Sequence, residues 1–182
     1  MSGGTLFKFV RSMPEGLKPV AFLDLDGPIL EVSVRHHRVY ADIILRLGGT
    51  PMTREEYWHA KRGKVPDREI LSRSGFSTPP AEYRSLKLAA IETADYLAHD
   101  RLQPKTQETL RRLAKQYRPV LVTLRQSREG LIAQLASFEI DGVFLAILSS
   151  PTGTTPGWET KCELIRGSGV QFDSSSFFAG DT

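Results

Sequence analysis

Apolar and polar positions along the chain fall into two patterns. Short continuous apolar runs, of the kind a strand buried on both faces needs, occur at residues 19–25, 119–124, 142–148 and, shorter, 176–179. Amphipathic stretches lie between the later runs. Residues 105–117 carry Leu110 and Leu113 among charges. Ser127 is placed to cap a helix over 128–138, with Leu131, Ile132, Leu135 and Phe138 on one face. Residues 159–166 read as a short helix. Strands alternating with helices predict a parallel sheet covered by helices.

Residues 31–100 break this alternation, because no run there reads as a strand. Helices are predicted at 34–47, closed by Gly48-Gly49, and at 54–62, where Thr53 and Glu56 form a capping box. A short helix at 67–74 stops at Gly75, and a long amphipathic one covers 80–99. One crossover helix suffices to join two parallel strands, and 105–117 already supplies it. The seventy or so residues before it therefore read as an inserted helical subdomain.

Composition supports a folded protein. The 182 residues are 40% hydrophobic and 25% charged, which excludes collagen-like, low-complexity and wholly disordered classes. A single cysteine, Cys162, excludes a disulfide scaffold. The surplus of 24 basic over 21 acidic residues is spread along the chain and gives little footprint for nucleic acid. No apolar stretch reaches the roughly 20 residues that span a bilayer. The first 18 residues have no sustained apolar region of the secretory type. The expectation is a cytoplasmic protein that engages neither nucleic acid nor membrane.

Ligands of open α/β sheets bind at the carboxyl ends of the strands. Here the first run ends in Asp24-Leu25-Asp26-Gly27, the second in Thr123 and the fourth in Gly180-Asp181-Thr182, while Lys161 lies near the start of the helix before the fourth. Singly, each has an ordinary explanation as turn former, strand residue or solvated lysine. Together they bring carboxylates, a hydroxyl and an ammonium to one rim, a set suited to phosphoryl transfer. Carboxylates alone would repel a phosphate, so a divalent cation is implied. Hard Mg²⁺ takes oxygen ligands, which Asp24 and Asp181 would supply. Asp24 would attack, Asp26 would handle the proton, and Thr123 and Lys161 would bind the phosphoryl oxygens.

These residues resemble the four motifs of the haloacid dehalogenase-like (HAD) hydrolase superfamily. Asp24-Leu25-Asp26-Gly27 matches its DxDG, Thr123 the second motif, Lys161 the third and Gly180-Asp181-Thr182 the start of the fourth. The resemblance implies an α/β fold, with a Rossmannoid parallel-sheet core over 1–31 and 101–182 and an all-helical cap over 32–100, as in phosphoglycolate phosphatase-like members. It implies an aspartyl-phosphate on Asp24, proton transfer by Asp26 and Mg²⁺ held by Asp24, the Asp26 main-chain carbonyl and Asp181. Asp26, absent from the family's dehalogenases, argues for phosphate chemistry. The sequence stops inside the fourth motif, before the family's second acidic residue and its further strand and helix. Pro28 stands where Thr or Val is common.

The expected function is a Mg²⁺-dependent phosphatase acting on a small phosphorylated metabolite. The alternatives are a phosphomutase of the same superfamily and a truncated, non-catalytic phosphate-binding or interaction domain that pairs through an exposed sheet edge. Arg35, His37, Lys61 and Arg62 are candidates for substrate specificity; His36 or His37 could titrate near neutrality. Arg125 and Arg128 follow Thr123 closely enough for one to touch phosphate. Trp58 is expected to pack among the insert's helices.

Overall fold

The computed structural model describes residues 17–149 and 157–180. Four parallel strands form the central sheet in the order β5-β4-β1-β6, with β1 at Val20–Leu23, β4 at Arg118–Thr123, β5 at Ala146–Ser149 and β6 at Phe177–Ala179. Strand alternation sorts the apolar runs onto two faces. Ala21, Leu23 and Leu121 pack with Leu110 of α6 (Thr106–Gln116) and with Leu131 and Leu135 of α7 (Arg128–Ser137). Val20, Phe22, Val120 and Val122 face the other way, against Leu164 and Ile165 of α8 (Gly157–Gly167). Burial on both faces explains why β1 and β4 are apolar almost throughout. The strand-plus-helix reading of this region holds. The run at 142–148 divides, however, into a 3-10 turn at Asp141–Val143 and β5. Ile132 on α7 is 39% exposed rather than packed with Leu131 and Leu135.

Five helices lie between β1 and α6: α1 (Ser33–Arg46), α2 (Arg54–Arg62), α3 (Asp67–Arg73), α4 (Tyr83–Ala90) and α5 (Ala94–Leu97). They enclose their own apolar cluster, which includes Val39, Ile43, Ile44, Ile70 and Leu71 with Tyr40, Tyr57 and Tyr83. The predicted capping box is present. Thr53 accepts from the Glu56 main-chain N–H at 3.3 Å, and the Thr53 N–H donates to the Glu56 carboxylate at 2.9 Å.

Two differences from the sequence reading bear on the site. The long helix expected over 80–99 is two helices, broken at Ile91–Thr93, where Thr93 is extended. Here Glu92 leaves the helical path, and its carboxylate accepts from the main-chain N–H groups of Gln126 and Ser127. The insert also begins and ends on a small antiparallel ribbon, β2 (Leu30–Glu31) with β3 (Arg101–Leu102), which pairs Leu30 with Leu102 and Glu31 with Arg101. Two-residue strands leave no readable alternation. Among the described residues no helix is long and apolar enough to cross a membrane.

Candidate active site

The carboxyl ends of β1 and β4 lie side by side because the two strands pair in register from Val20–Arg118 to Leu23–Leu121. Asp24 follows β1 directly. Its N–H donates to Ala179 O at 2.9 Å, which ties it to the end of β6. Gly180 beside it tolerates no side chain: a Cβ there would stand 2.9 Å from the Asp24 Cβ. The chain then turns sharply at Gly27, whose φ of 103° suits glycine, and Gly27 N–H donates to Leu30 O at 2.9 Å. Pro28 is exposed within this turn, where its missing N–H removes no strand hydrogen bond. Asp26 is thereby aimed back over the strand ends.

The four motif residues Asp24, Asp26, Thr123 and Lys161 line one cavity of about 230 Å³, together with Arg35, His36 and Arg125. The Lys161 ammonium reaches over from α8 to donate to Asp24 Oδ2, while Asp24 Oδ1 accepts from the Leu25 N–H at 2.9 Å. Burial pushes the Asp24 carboxyl above its ordinary value, and Lys161 opposes that shift. Thr123 is buried, and its hydroxyl oxygen accepts from the Arg125 N–H at 3.3 Å. Asp181 lies outside the described residues.

Asp26 has partners that sequence reasoning missed. Arg125 donates to it twice, from Nε to Oδ2 at 3.0 Å and from Nη2 to Oδ1 at 2.7 Å. Arg35 Nη2 donates to Oδ2 at 2.9 Å. Burial alone would raise this carboxyl, but the Arg125 and Arg35 guanidinium groups overcome it and hold Asp26 well below the usual carboxylate range. Behind them Asp100, with a fully buried side chain, faces Arg125 Nη2 at 3.1 Å and Arg35 Nε at 3.0 Å, and accepts from Gln134 Nε2 at 3.0 Å. The Arg35–Asp100 pair is close without being aligned as a hydrogen bond, since Arg35 Nε and Asp100 Oδ1 both lack a hydrogen-bond partner. Burial raises the Asp100 carboxyl, opposed by both arginines.

The specificity candidates separate. Arg35 is buried and committed to Asp26, Asp100 and the Ile91 carbonyl, so it does not stand open to a ligand. His37 hydrogen-bonds the Met52 carbonyl at 3.0 Å and packs on Tyr40 and Tyr57 inside the insert. Lys61 and Arg62 do face a cleft. With Lys64, Trp58, His36 and Asp26 they line a cavity of about 520 Å³ that adjoins the smaller one through Asp26 and His36. Lys61 also pairs with Asp67 at 3.1 Å. Trp58 packs against the cluster of the sheet core rather than inside the insert. His36 does not titrate near neutrality, because burial and the Arg35 charge push it down to about 3. Of the two arginines after Thr123, Arg125 turns inward to Asp26 and Arg128 is exposed on the first turn of α7.

The Asp24 carboxylate and the Asp26 main-chain oxygen are hard oxygen donors, and that chemistry fits Mg²⁺. Among the described residues no three His, Cys, Asp or Glu side chains gather as a ready cation site.

No family model and no curated protein matches the sequence. Solved structures do match. A haloacid dehalogenase-like family hydrolase from Streptococcus pneumoniae superposes with a TM-score of 0.69 at 17% identity, over 91% of this chain and 76% of that one. A predicted phosphoglycolate phosphatase from Haemophilus somnus gives 0.63 at 18% identity, over 90% and 77%. A Bacillus subtilis protein provisionally named as a HAD-hydrolase, solved with magnesium bound, gives 0.59 at 15% identity, over 91% and 81%. The parallel sheet with its helical insert is therefore the haloacid dehalogenase-like fold.

Proposed function

We propose that the protein is a phosphoric monoester hydrolase of the HAD superfamily that works through a phosphorylated Asp24, with residues 32–100 acting as its cap. The observation that carries this reading is the convergence of Asp24, Asp26, Thr123 and Lys161 on one small cavity at the strand ends. Phosphoryl transfer has a use for all four groups.

In this reading Asp24 attacks phosphorus, a new O–P bond forms and the ester P–O bond breaks. Lys161 and the Thr123 hydroxyl offset charge on the phosphoryl oxygens. Water then attacks the phosphorus of phospho-Asp24, gives its proton to Asp26 and releases inorganic phosphate with Asp24 restored. Asp26, held ionised by two arginines, is in the charge state that accepts that proton, although the same contacts make it a weaker base. In the first half-reaction the same contacts oppose a proton on Asp26, so leaving groups that depart as stable anions are favoured. Asp24, the Asp26 carbonyl and Asp181 would hold Mg²⁺. When bound, it supplies positive charge that lets a phosphate dianion approach a carboxylate.

The test is phosphate release from p-nitrophenyl phosphate with Mg²⁺ present. Asp24→Asn is expected to lower turnover by about a thousandfold or more. Release that persists in Asp24→Asn would overturn the proposal.

A further inference from the structure

Three buried charges, on Arg35, Arg125 and Asp100, surround Asp26. Buried ion pairs seldom stabilise more than apolar residues of similar size, since desolvation offsets their attraction. Yet Arg35, Arg125 and Asp100 have side chains only 1%, 5% and 0% exposed, while Asp26 at 31% remains open toward the cavities. The network is thus directional: it closes at the back and presents one carboxylate at the front. Asp26 lines both cavities, so a carboxylate fixed there faces whatever spans them.

We infer that Arg125 and Asp100 are positioning residues that set the orientation of the Asp26 carboxylate. The inference rests on the hydrolase reading. Arg125 holds both Asp26 oxygens in a fork at 3.0 and 2.7 Å, which fixes the plane of the carboxylate as a single ammonium could not. Asp100 fixes Arg125 in turn, at 3.1 Å, and is itself fixed by Gln134 at 3.0 Å. Gln134 also donates to Leu97 O at 3.1 Å, at the end of the insert's last helix. The chain of contacts therefore runs from the place where the insert rejoins the core to the proton-handling group. Asp26 is aimed when the insert is seated.

The experiment compares wild type, Asp100→Asn, Arg125→Lys and Arg125→Met in the full chain, with Mg²⁺ and p-nitrophenyl phosphate. Unfolding midpoints are measured alongside, so that activity is read only on folded protein. Asp100→Asn keeps the shape of the side chain and guards against a failure to fold. Both Asp100→Asn and Arg125→Met are expected to lower kcat about 10- to 100-fold, because a small misplacement of a reacting group costs that much. KM is expected to fall with kcat, so that kcat/KM stays within about threefold, because neither residue grips the phosphate and capture of the phosphoryl group by Asp24 is untouched. Acid-quenched samples should hold more phosphorylated Asp24 than wild type, because the slowed step is attack of water. Arg125→Lys, which keeps the charge but loses the fork, should recover part of the Arg125→Met loss.

Folded variants with unchanged kcat, or a loss of kcat with no rise in phosphoprotein and no recovery in Arg125→Lys, would overturn the positioning role alone. A folded wild type with no Asp24-dependent release overturns the hydrolase reading and this inference with it.

Discussion

The Asp67 and Asp100 carboxylates each sit between two cations, and their surroundings make them different objects. In the insert, Asp67 pairs with Lys61 at 3.1 Å and Lys87 at 3.2 Å, with its side chain 45% exposed. At the strand ends, Asp100 lies between Arg35 and Arg125 at 3.0 and 3.1 Å with no exposure. Solvent reaches and screens the first group, whereas the second is closed off by protein. The cations differ as well: flexible ammonium groups serve the surface, and planar guanidinium forks serve the interior. Both lysines hold Asp67 below its ordinary value against the effect of its partial burial. Asp100 is raised instead, because complete burial outweighs two neighbouring arginines. Proximity of opposite charge alone therefore says little about what a pair contributes.

The largest expected effect is at Asp100. Asp100→Ala leaves two guanidinium groups buried with one fewer counter-charge, and should destabilise the protein by about 3–5 kcal/mol in denaturant unfolding. An effect below 1 kcal/mol would erase the contrast drawn above. Alkaline pH should strike the other region first. Burial raises the phenols of Tyr57 and Tyr83 above their ordinary range, with the nearby Asp67 carboxylate and the Tyr40 phenol adding to it. Folded tyrosines then keep protons that the unfolded chain loses near about pH 10. Stability is intact below that pH and falls as pH rises above it. Circular dichroism with tyrosine absorbance should show insert helices lost before the sheet.

Smaller effects divide the tyrosines themselves. Tyr40 and Tyr57 stack with centroids 4.3 Å apart, but only Tyr40 has hydroxyl partners: Ser74 Oγ at 2.6 Å and the Met52 N–H at 2.9 Å. The Tyr57 hydroxyl is buried without one. Tyr40→Phe should cost about 1 kcal/mol, and Tyr57→Phe should cost nothing or stabilise slightly, by thermal unfolding. The smallest effect should be at Asp67. Asp67→Ala is expected to change stability by no more than about 1 kcal/mol, and less at high salt.

Much of this architecture is legible in the sequence where a local cause acts. The apolar run ending in Asp24 and Asp26 is readable because a doubly buried strand must be apolar and its end need not be. Thr53 and Glu56 announce α2 because a capping box is a contact between residues three apart. The site's second layer is illegible for the opposite reason. Arg125 and Asp26 are 99 positions apart, and Gln134 and Asp100 are 34 apart. Nothing near Asp100 distinguishes it from a solvated turn residue. Arg35, read as a ligand-facing cation, is turned inward by its register in α1, where each position along the helix rotates the side chain by about 100°. The break at Ile91–Thr93 escaped because amphipathic spacing continues across it. What ends the helix there is a distant set of main-chain N–H groups that the Glu92 carboxylate satisfies.

The ribbon that pairs Leu30 with Leu102 and Glu31 with Arg101 has a consequence for how such a chain can change. A segment that departs and returns at adjacent positions is a detour, with its two ends already held together. It can lengthen, shorten or be exchanged without re-threading the sheet, provided that a replacement spans the same narrow gap. The fork at Asp26 limits that freedom. A new detour would still have to bring a carboxylate to Arg125, or the molecule would keep its framework and lose its aim.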